Sequence, residues 1–195
     1  MKHIYFFRHG ETVLNAQGIL QGHTFFPELN EKGIEQAKTI VQKLKDIPLQ
    51  VIYSSPLKRA RQTADIVNTQ FDVPIIEDAR LKEMCLGDLE GMTVCEAKTK
   101  YPEVMDTFFS DDESRIENRC PNGESFKELG ERIKDFLDDV ICSCSEEYIG
   151  IAGHGMLLKY AIYSCGCPLM TGAPENAAVA HFTYQDNQWC FCGFI

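Results

Sequence analysis

Three short turns in this chain carry the groups that could handle an anion. Arg8-His9-Gly10-Glu11-Thr12 follows one apolar run, Ser54-Ser55-Pro56-Leu57-Lys58-Arg59 follows a second, and Gly153-His154-Gly155 follows a third. Each run reads as a strand, and ligands of open α/β sheets gather at the carboxyl ends of strands. If the three strands are parallel neighbours, two imidazoles and at least two guanidiniums converge with no obvious counter-anion. Helix N-termini after the same turns would add backbone N–H donors and positive dipole ends. Such a pocket would bind phosphate. Singly, the residues have plainer readings. Arg8 could close a strand at the surface, Arg59 could solvate a helix, and an Arg-His-Gly triplet arises by chance in on the order of one chain in a hundred. His154 between two glycines resists that treatment, because glycine flanks a side chain where backbone turns sharply or approaches a ligand. Taken together, with matching strand-end placement, the functional reading is favoured.

The elements that must position these turns follow from periodicity. Residues 3–7 form the first strand, and 30–46 a helix with Ile34, Ala37, Ile40, Val41 and Leu44 inward and Asn30 as N-cap. Val51-Ile52-Tyr53 is a strand, then a helix over about 56–70 has Pro56 in its first turn. Val73–Ile76 is a short strand. The stretch 92–123 is polar, irregular and acidic around Asp111-Asp112-Glu113, with Arg115 and Arg119. A helix over about 124–143 points Phe126, Leu129, Ile133, Phe136, Leu137 and Val140 inward. Tyr148–Ala152 is a strand, 156–165 a helix, and the chain ends in a hairpin of 179–184 and 188–194. Alternating strands and helices predict an α/β fold with a mostly parallel sheet and a C-terminal antiparallel hairpin. No linker or repeat divides the chain, so a single domain over 1–195 is expected.

The 195 residues carry 19 basic and 29 acidic side chains, a formal charge of −10, with 44% hydrophobic residues. That balance is ordinary for a globular protein and argues against a nucleic-acid binder, which would show a basic stripe. No apolar run approaches the roughly 20 residues of a membrane helix, and residues 1–7 have the wrong flanks for a signal peptide, so no membrane partner and a cytoplasmic location are expected. In a reducing compartment the nine cysteines read as free thiols. Their spacing lacks the Cys-x2-Cys pairs or nearby histidines of a zinc site.

The ordered motifs resemble the histidine phosphatase superfamily, which includes the cofactor-dependent phosphoglycerate mutases. Phe7-Arg8-His9-Gly10-Glu11-Thr12 with Asn15, Leu29–Ala37, Tyr53–Ala64, Leu81-Lys82-Glu83 with Gly87–Gly91, and Gly153-His154-Gly155 carry the resemblance over nearly the whole chain. It implies a three-layer α/β/α sandwich, with 92–123 as a lid-like insertion. It also implies metal-free and cofactor-free phosphoryl transfer through a phosphohistidine. His9 would be the nucleophile, while Arg8, Arg59 and His154 would hold the equatorial oxygens. Glu83 would protonate the leaving alcohol and then activate water. Asn15, Gln21, Gly22 and Gly155 would bind the substrate.

Mutases and phosphatases of this family share the phosphohistidine and differ in the acceptor. Mutases have longer chains, a C-terminal tail over the site and two adjacent lid arginines; here Arg115 and Arg119 are not adjacent. Where mutases read Asn-Glu-Arg-His-Tyr-Gly, this chain reads Lys82-Glu83-Met84-Cys85-Leu86-Gly87. The expectation is therefore a phosphatase acting on a small phosphorylated metabolite. Phosphoserine leads because an acidic lid would suit a cationic group. A phosphoglycerate mutase and a non-catalytic phosphate binder are the alternatives. His3, His23 and His181 read as structural or exposed. The aromatic tail from Trp189 to Phe194 reads as a core face or a homodimer contact.

Overall fold

The ends of three adjacent parallel strands form the platform of the molecule. In the computed structural model, which describes residues 1–113 and 116–195, strands β1 (Lys2–Arg8), β2 (Val51–Ser54), β3 (Ile75–Glu77), β4 (Tyr148–Gly153), β5 (Val179–Gln185) and β6 (Gln188–Phe194) form one sheet. Their order is β3-β2-β4-β1-β5-β6. β3, β2, β4 and β1 run parallel, while β5 is antiparallel to β1 and β6 to β5. The sheet is thus mostly parallel with a C-terminal hairpin, as the sequence predicts. The hairpin turns through Asp186 and Asn187, both at positive φ (52° and 62°), the geometry of a tight two-residue connection.

Period-two alternation splits the strands between two cores. Ile4 and Phe6 of β1 join Val51, Ile149 and Ile151 on one face. Tyr5 and Phe7 join Ile52, Ala152 and Val179 on the other. After the single turn α1 (Val13–Ala16), helices α2 (Glu31–Leu44) and α3 (Lys58–Asn68) cover the second face. Helices α6 (Phe126–Ser143) and α7 (Gly155–Ser164) cover the first, with α4 (Val94–Lys100) and α5 (Pro102–Phe109) beside them. The layers are those of an α/β/α sandwich. Trp189 and Phe191 pack against the first core, so the aromatic tail does form a core face.

Three details depart from the sequence expectations. Ile34 is 38% exposed, not inward. The first turn of α2 presses its backbone on the loop after β1: a Cβ on Gly10 would stand 2.2 Å from the Gly33 oxygen. The inward face therefore begins at Gly33, and the next residue, about 100° round, turns out. Helix α3 starts at Lys58 with Leu57 as N-cap, so Pro56 precedes the helix. The Leu57 N–H donates to Ser55 Oγ (3.3 Å), which fixes a turn before the helix begins. The stretch 92–123 is not irregular throughout, since it holds α4 and α5. Its starting signals were a Thr93/Glu96 capping box and Pro102 at the helix start. Arg115 lies outside the described residues. Among those described, no helix is long and apolar enough to cross a membrane, and all nine cysteines are free thiols.

Candidate active site

Register brings the three turns to one level. Arg8 of β1 pairs with Gly153 of β4, and Ser54 of β2 pairs with Ala152. The ladder runs one residue further, with His9 N–H on the Gly153 oxygen and Ser55 N–H on the Ala152 oxygen, both at 3.0 Å. His9 and His154 therefore emerge side by side, their ring centroids 5.2 Å apart. Arg8, His9, Asn15, Gln21, Gly22, Arg59 and Glu83 line a shared cavity of about 170 Å³. That is smaller than the roughly 300–1,000 Å³ of clefts for drug-sized ligands, so it suits a small ester.

The two imidazoles are held in defined proton states. The Gly10 oxygen lies 2.7 Å from His9 Nδ1; a carbonyl only accepts, so Nδ1 carries the hydrogen and the lone pair is on Nε2. His154 Nε2 lies 2.8 Å from Ser55 Oγ, which also accepts the Leu57 N–H. With its own hydrogen the Ser55 hydroxyl can donate to Nε2, the tautomer that puts the ring hydrogen on His154 Nδ1, the nitrogen left without a partner. Burial, then the positive charges of Arg59 and Arg8, pushes the His9 pKa well below the usual imidazole value. Burial and Arg59 do the same to His154, with His9 and Arg8 adding to them. Both rings are neutral at neutral pH. One offers a lone pair, the other an N–H.

Both arginines are tied back by their terminal nitrogens. Arg59, 1% exposed, donates from Nη1 to the Thr24 oxygen (2.9 Å) and from Nη2 to the Gly22 oxygen (2.8 Å). Arg8 donates from Nη1 to the Pro174 oxygen. Burial lowers the pKa of Arg59 to about 10, opposed by the carboxylate of Glu83, so the guanidinium remains charged. Among the described residues, the buried side-chain polar atoms without a partner are Arg8 Nε, Arg59 Nε, His154 Nδ1 and Gln21 Oε1. Leaving a buried polar group unpaired costs about 1–3 kcal/mol each, and more for charged groups. All four belong to this site, and three are donors. An anion would satisfy the three donors together.

Asn15 Oδ1 accepts from Thr12 N–H and Oγ–H at 3.1 Å, closing a capping box on α1 and leaving its NH2 group for the cavity. Gly155 does not line the cavity. A Cβ there would meet Ala173 at 2.8 Å and the Arg8 guanidinium at 3.2 Å, so its bare backbone makes room for Arg8.

Glu83 is held by a set of side chains that sequence reasoning missed. Its carboxylate accepts from the backbone N–H of Met84 (2.9 Å) and Met156 (3.3 Å). Its carbonyl accepts from Arg132 Nη2 (3.1 Å) and His23 Nε2 (2.7 Å). Arg132 also donates to the Arg80 and Lys82 oxygens and grips Glu124 with two nitrogens (3.0 and 2.8 Å). His23 thus has a structural part, holding the segment that carries Glu83. Glu90 binds the loop from its other side through the N–H groups of His23 and Leu86. Long-range partners of this kind leave no periodic mark in a sequence.

Beyond the charged floor the wall is apolar: Ile19, Leu20, Leu86, Phe108, Phe109 and Met156 line it. The acidic residues of 92–123 are not among the lining groups, so the electrostatic ground for expecting a cationic substrate is absent here. Arg119 pairs with Glu128 and donates to the Gly123 oxygen, away from the cavity.

This fold and site define a class of phosphoric monoester hydrolases. Residues 4–192 match the histidine phosphatase superfamily (branch 1), and the chain belongs to that family. It is 33% identical over 189 residues to the uncharacterized phosphatase PhoE of Bacillus subtilis, covering 93% of this chain and 88% of that protein. It is 36% identical over 185 residues to a metal-independent phosphoserine phosphatase of Arabidopsis thaliana, covering 93% and 76%. A probable phosphoglycerate mutase, GpmB, of Yersinia pestis is 31% identical over 210 residues, covering 100% and 91%. Among solved structures, Bacillus stearothermophilus YhfR superposes with a TM-score of 0.87 at 28% identity, covering 99% and 96% of the two chains. A phosphoserine phosphatase mutant from Entamoeba histolytica, in complex with phosphoserine, superposes at 0.81 with 26% identity, covering 100% and 96%.

Proposed function

We infer that this chain hydrolyses small phosphate monoesters without a metal, through a phosphohistidine on His9. The observation that carries this is the set of orphaned buried donors on Arg8, Arg59 and His154 around an imidazole whose Nε2 lone pair is free. In the first step Nε2 attacks phosphorus and the ester P–O bond breaks. Glu83, having taken up a proton as the anionic phosphate binds beside it, gives that proton to the departing alkoxide, so the alcohol leaves neutral. Charge on the three equatorial oxygens is met by both guanidiniums, His154 Nδ1–H and the Asn15 amide, all fixed in advance. In the second step Glu83 takes a proton from water as that water attacks phosphorus. Inorganic phosphate departs and His9 is neutral again.

Phosphoserine is the leading substrate, on the strength of the Arabidopsis relative and the Entamoeba complex. The apolar wall favours a second reading, in which the leaving group is uncharged or apolar. A mutase needs further cationic contacts for a second acidic group, and Glu83 is the one charged residue other than Arg8 and Arg59 that lines the cavity, among those described. A passive phosphate binder would not need Glu83 and His9 together on one cavity.

The test is phosphate release in excess chelator across a panel containing phosphoserine, phenyl phosphate and 3-phosphoglycerate. Expected is turnover that survives the chelator and is lost in His9→Ala. Interconversion of phosphoglycerates faster than phosphate release would favour the mutase. No turnover of any monoester would favour the binder. Phenyl phosphate outranking phosphoserine would favour the apolar leaving group.

A further inference from the structure

One buried cation stands behind the apolar wall and takes no part in the chemistry. Lys159, 1% exposed, lies on α7, the helix that begins directly after His154. Its Nζ donates to the Phe108 oxygen at 3.1 Å and stands 5.4 Å from the centre of the Phe126 ring. The Gly172 N–H reaches the same carbonyl at 3.2 Å. That carbonyl belongs to the last turn of α5, where oxygens lack helical donors and the negative end of the dipole gathers. Phe108, Phe109 and Gly172 all line the cavity. An ammonium buried on one carbonyl and one ring face is expensive, and a methionine would fill the same space without that cost.

We propose that Lys159 is a positioning residue: it ties the end of α5 to the helix of the catalytic histidine and so sets the wall against the leaving group. This rests on the preceding reading only in placing the leaving group beside Phe108 and Phe109. The groups facing the ammonium are the α5 carbonyl and the Phe126 ring of α6. Among the described residues no carboxylate perturbs it, and burial lowers its pKa to about 8. Above that pH the charge that grips the carbonyl is lost, and the tie weakens.

The test uses full-length Lys159→Met beside wild type. Expected are a melting temperature at pH 7 no lower than wild type and hydrogen exchange over 102–109 about tenfold faster. KM for phenyl phosphate should rise about tenfold, with competitive inhibition by inorganic phosphate changed less than twofold. In wild type KM should climb several-fold from pH 7 to 9, and in the variant it should stay flat. Unchanged exchange over 102–109, or equal losses in KM and phosphate inhibition with a lowered melting temperature, would overturn the proposal. A wild type that neither binds inorganic phosphate nor turns over phenyl phosphate would sink the reading of the site, while the exchange comparison would still decide on Lys159.

Discussion

The floor and the wall of the cavity are built by opposite means. On the floor, each reactive group has one end fastened to backbone or to Ser55 and the other end left open. The wall is made of the side chains of Ile19, Leu20, Leu86, Phe108, Phe109 and Met156, which carry no charge and offer no N–H or O–H to the cavity. Its directed bonds are made by backbone, as at the Phe108 carbonyl. Phosphoryl chemistry is the same for every monoester, so a rigid sheet edge can carry it. The leaving group varies, so helices outside the sheet can be changed to suit it without disturbing the floor. The two regions should therefore fail differently. Floor variants should lose kcat on every substrate alike, and wall variants should re-rank substrates through KM.

The largest effect should come from Glu83→Gln and His9→Asn. His9→Asn should abolish phosphate release from every monoester, because it removes the nucleophile, and Glu83→Gln should lower kcat about 10²- to 10⁴-fold, the span of a general acid–base group. Ser55→Ala should cost about 10- to 100-fold in kcat with KM little changed, since it frees the His154 tautomer but leaves both guanidiniums in place. A similar loss on phosphoserine and phenyl phosphate would sharpen the contrast between floor and wall. A loss confined to one substrate would break it.

Stability should report the same floor. His9 and His154 are neutral in the fold well below their ordinary value of 6.5. Between that lowered value and 6.5 the unfolded chain binds protons that the fold does not, so stability rises with pH there and is lost as pH falls. Two such rings give a slope of up to about 2.7 kcal/mol per pH unit. Denaturant melts from pH 6.5 downward should show it, and His154→Gln should remove about half of it. The smallest effect belongs to the wall. Phe109→Ala should raise KM for phenyl phosphate about fivefold and leave inhibition by inorganic phosphate within twofold.

Much of the floor was legible because strand ends are local. Arg8-His9-Gly10 and Gly153-His154-Gly155 each follow an apolar run directly, and the parallel order β2-β4-β1 makes them neighbours. The fold class followed from the same alternation. Glu83 was reached only through resemblance to a family, because what holds it comes from Arg132 and His23, 49 and 60 residues away. Ile34 went wrong because two glycines from different elements touch, a contact invisible to helical periodicity. The acidic run in 92–123 drew notice by its charge, while the part that lines the cavity is Phe108 and Phe109 at the end of an unforeseen helix.

In this mechanism His9 Nε2 takes the phosphoryl group. Rapid quenching of wild-type enzyme with phosphate-labelled substrate, followed by peptide mapping, tests it most directly. An acid-labile, base-stable label on His9 is expected, attached at Nε2 because Nδ1 is committed to the Gly10 carbonyl. Label on Nδ1, on His154, or on no residue during turnover would contradict it.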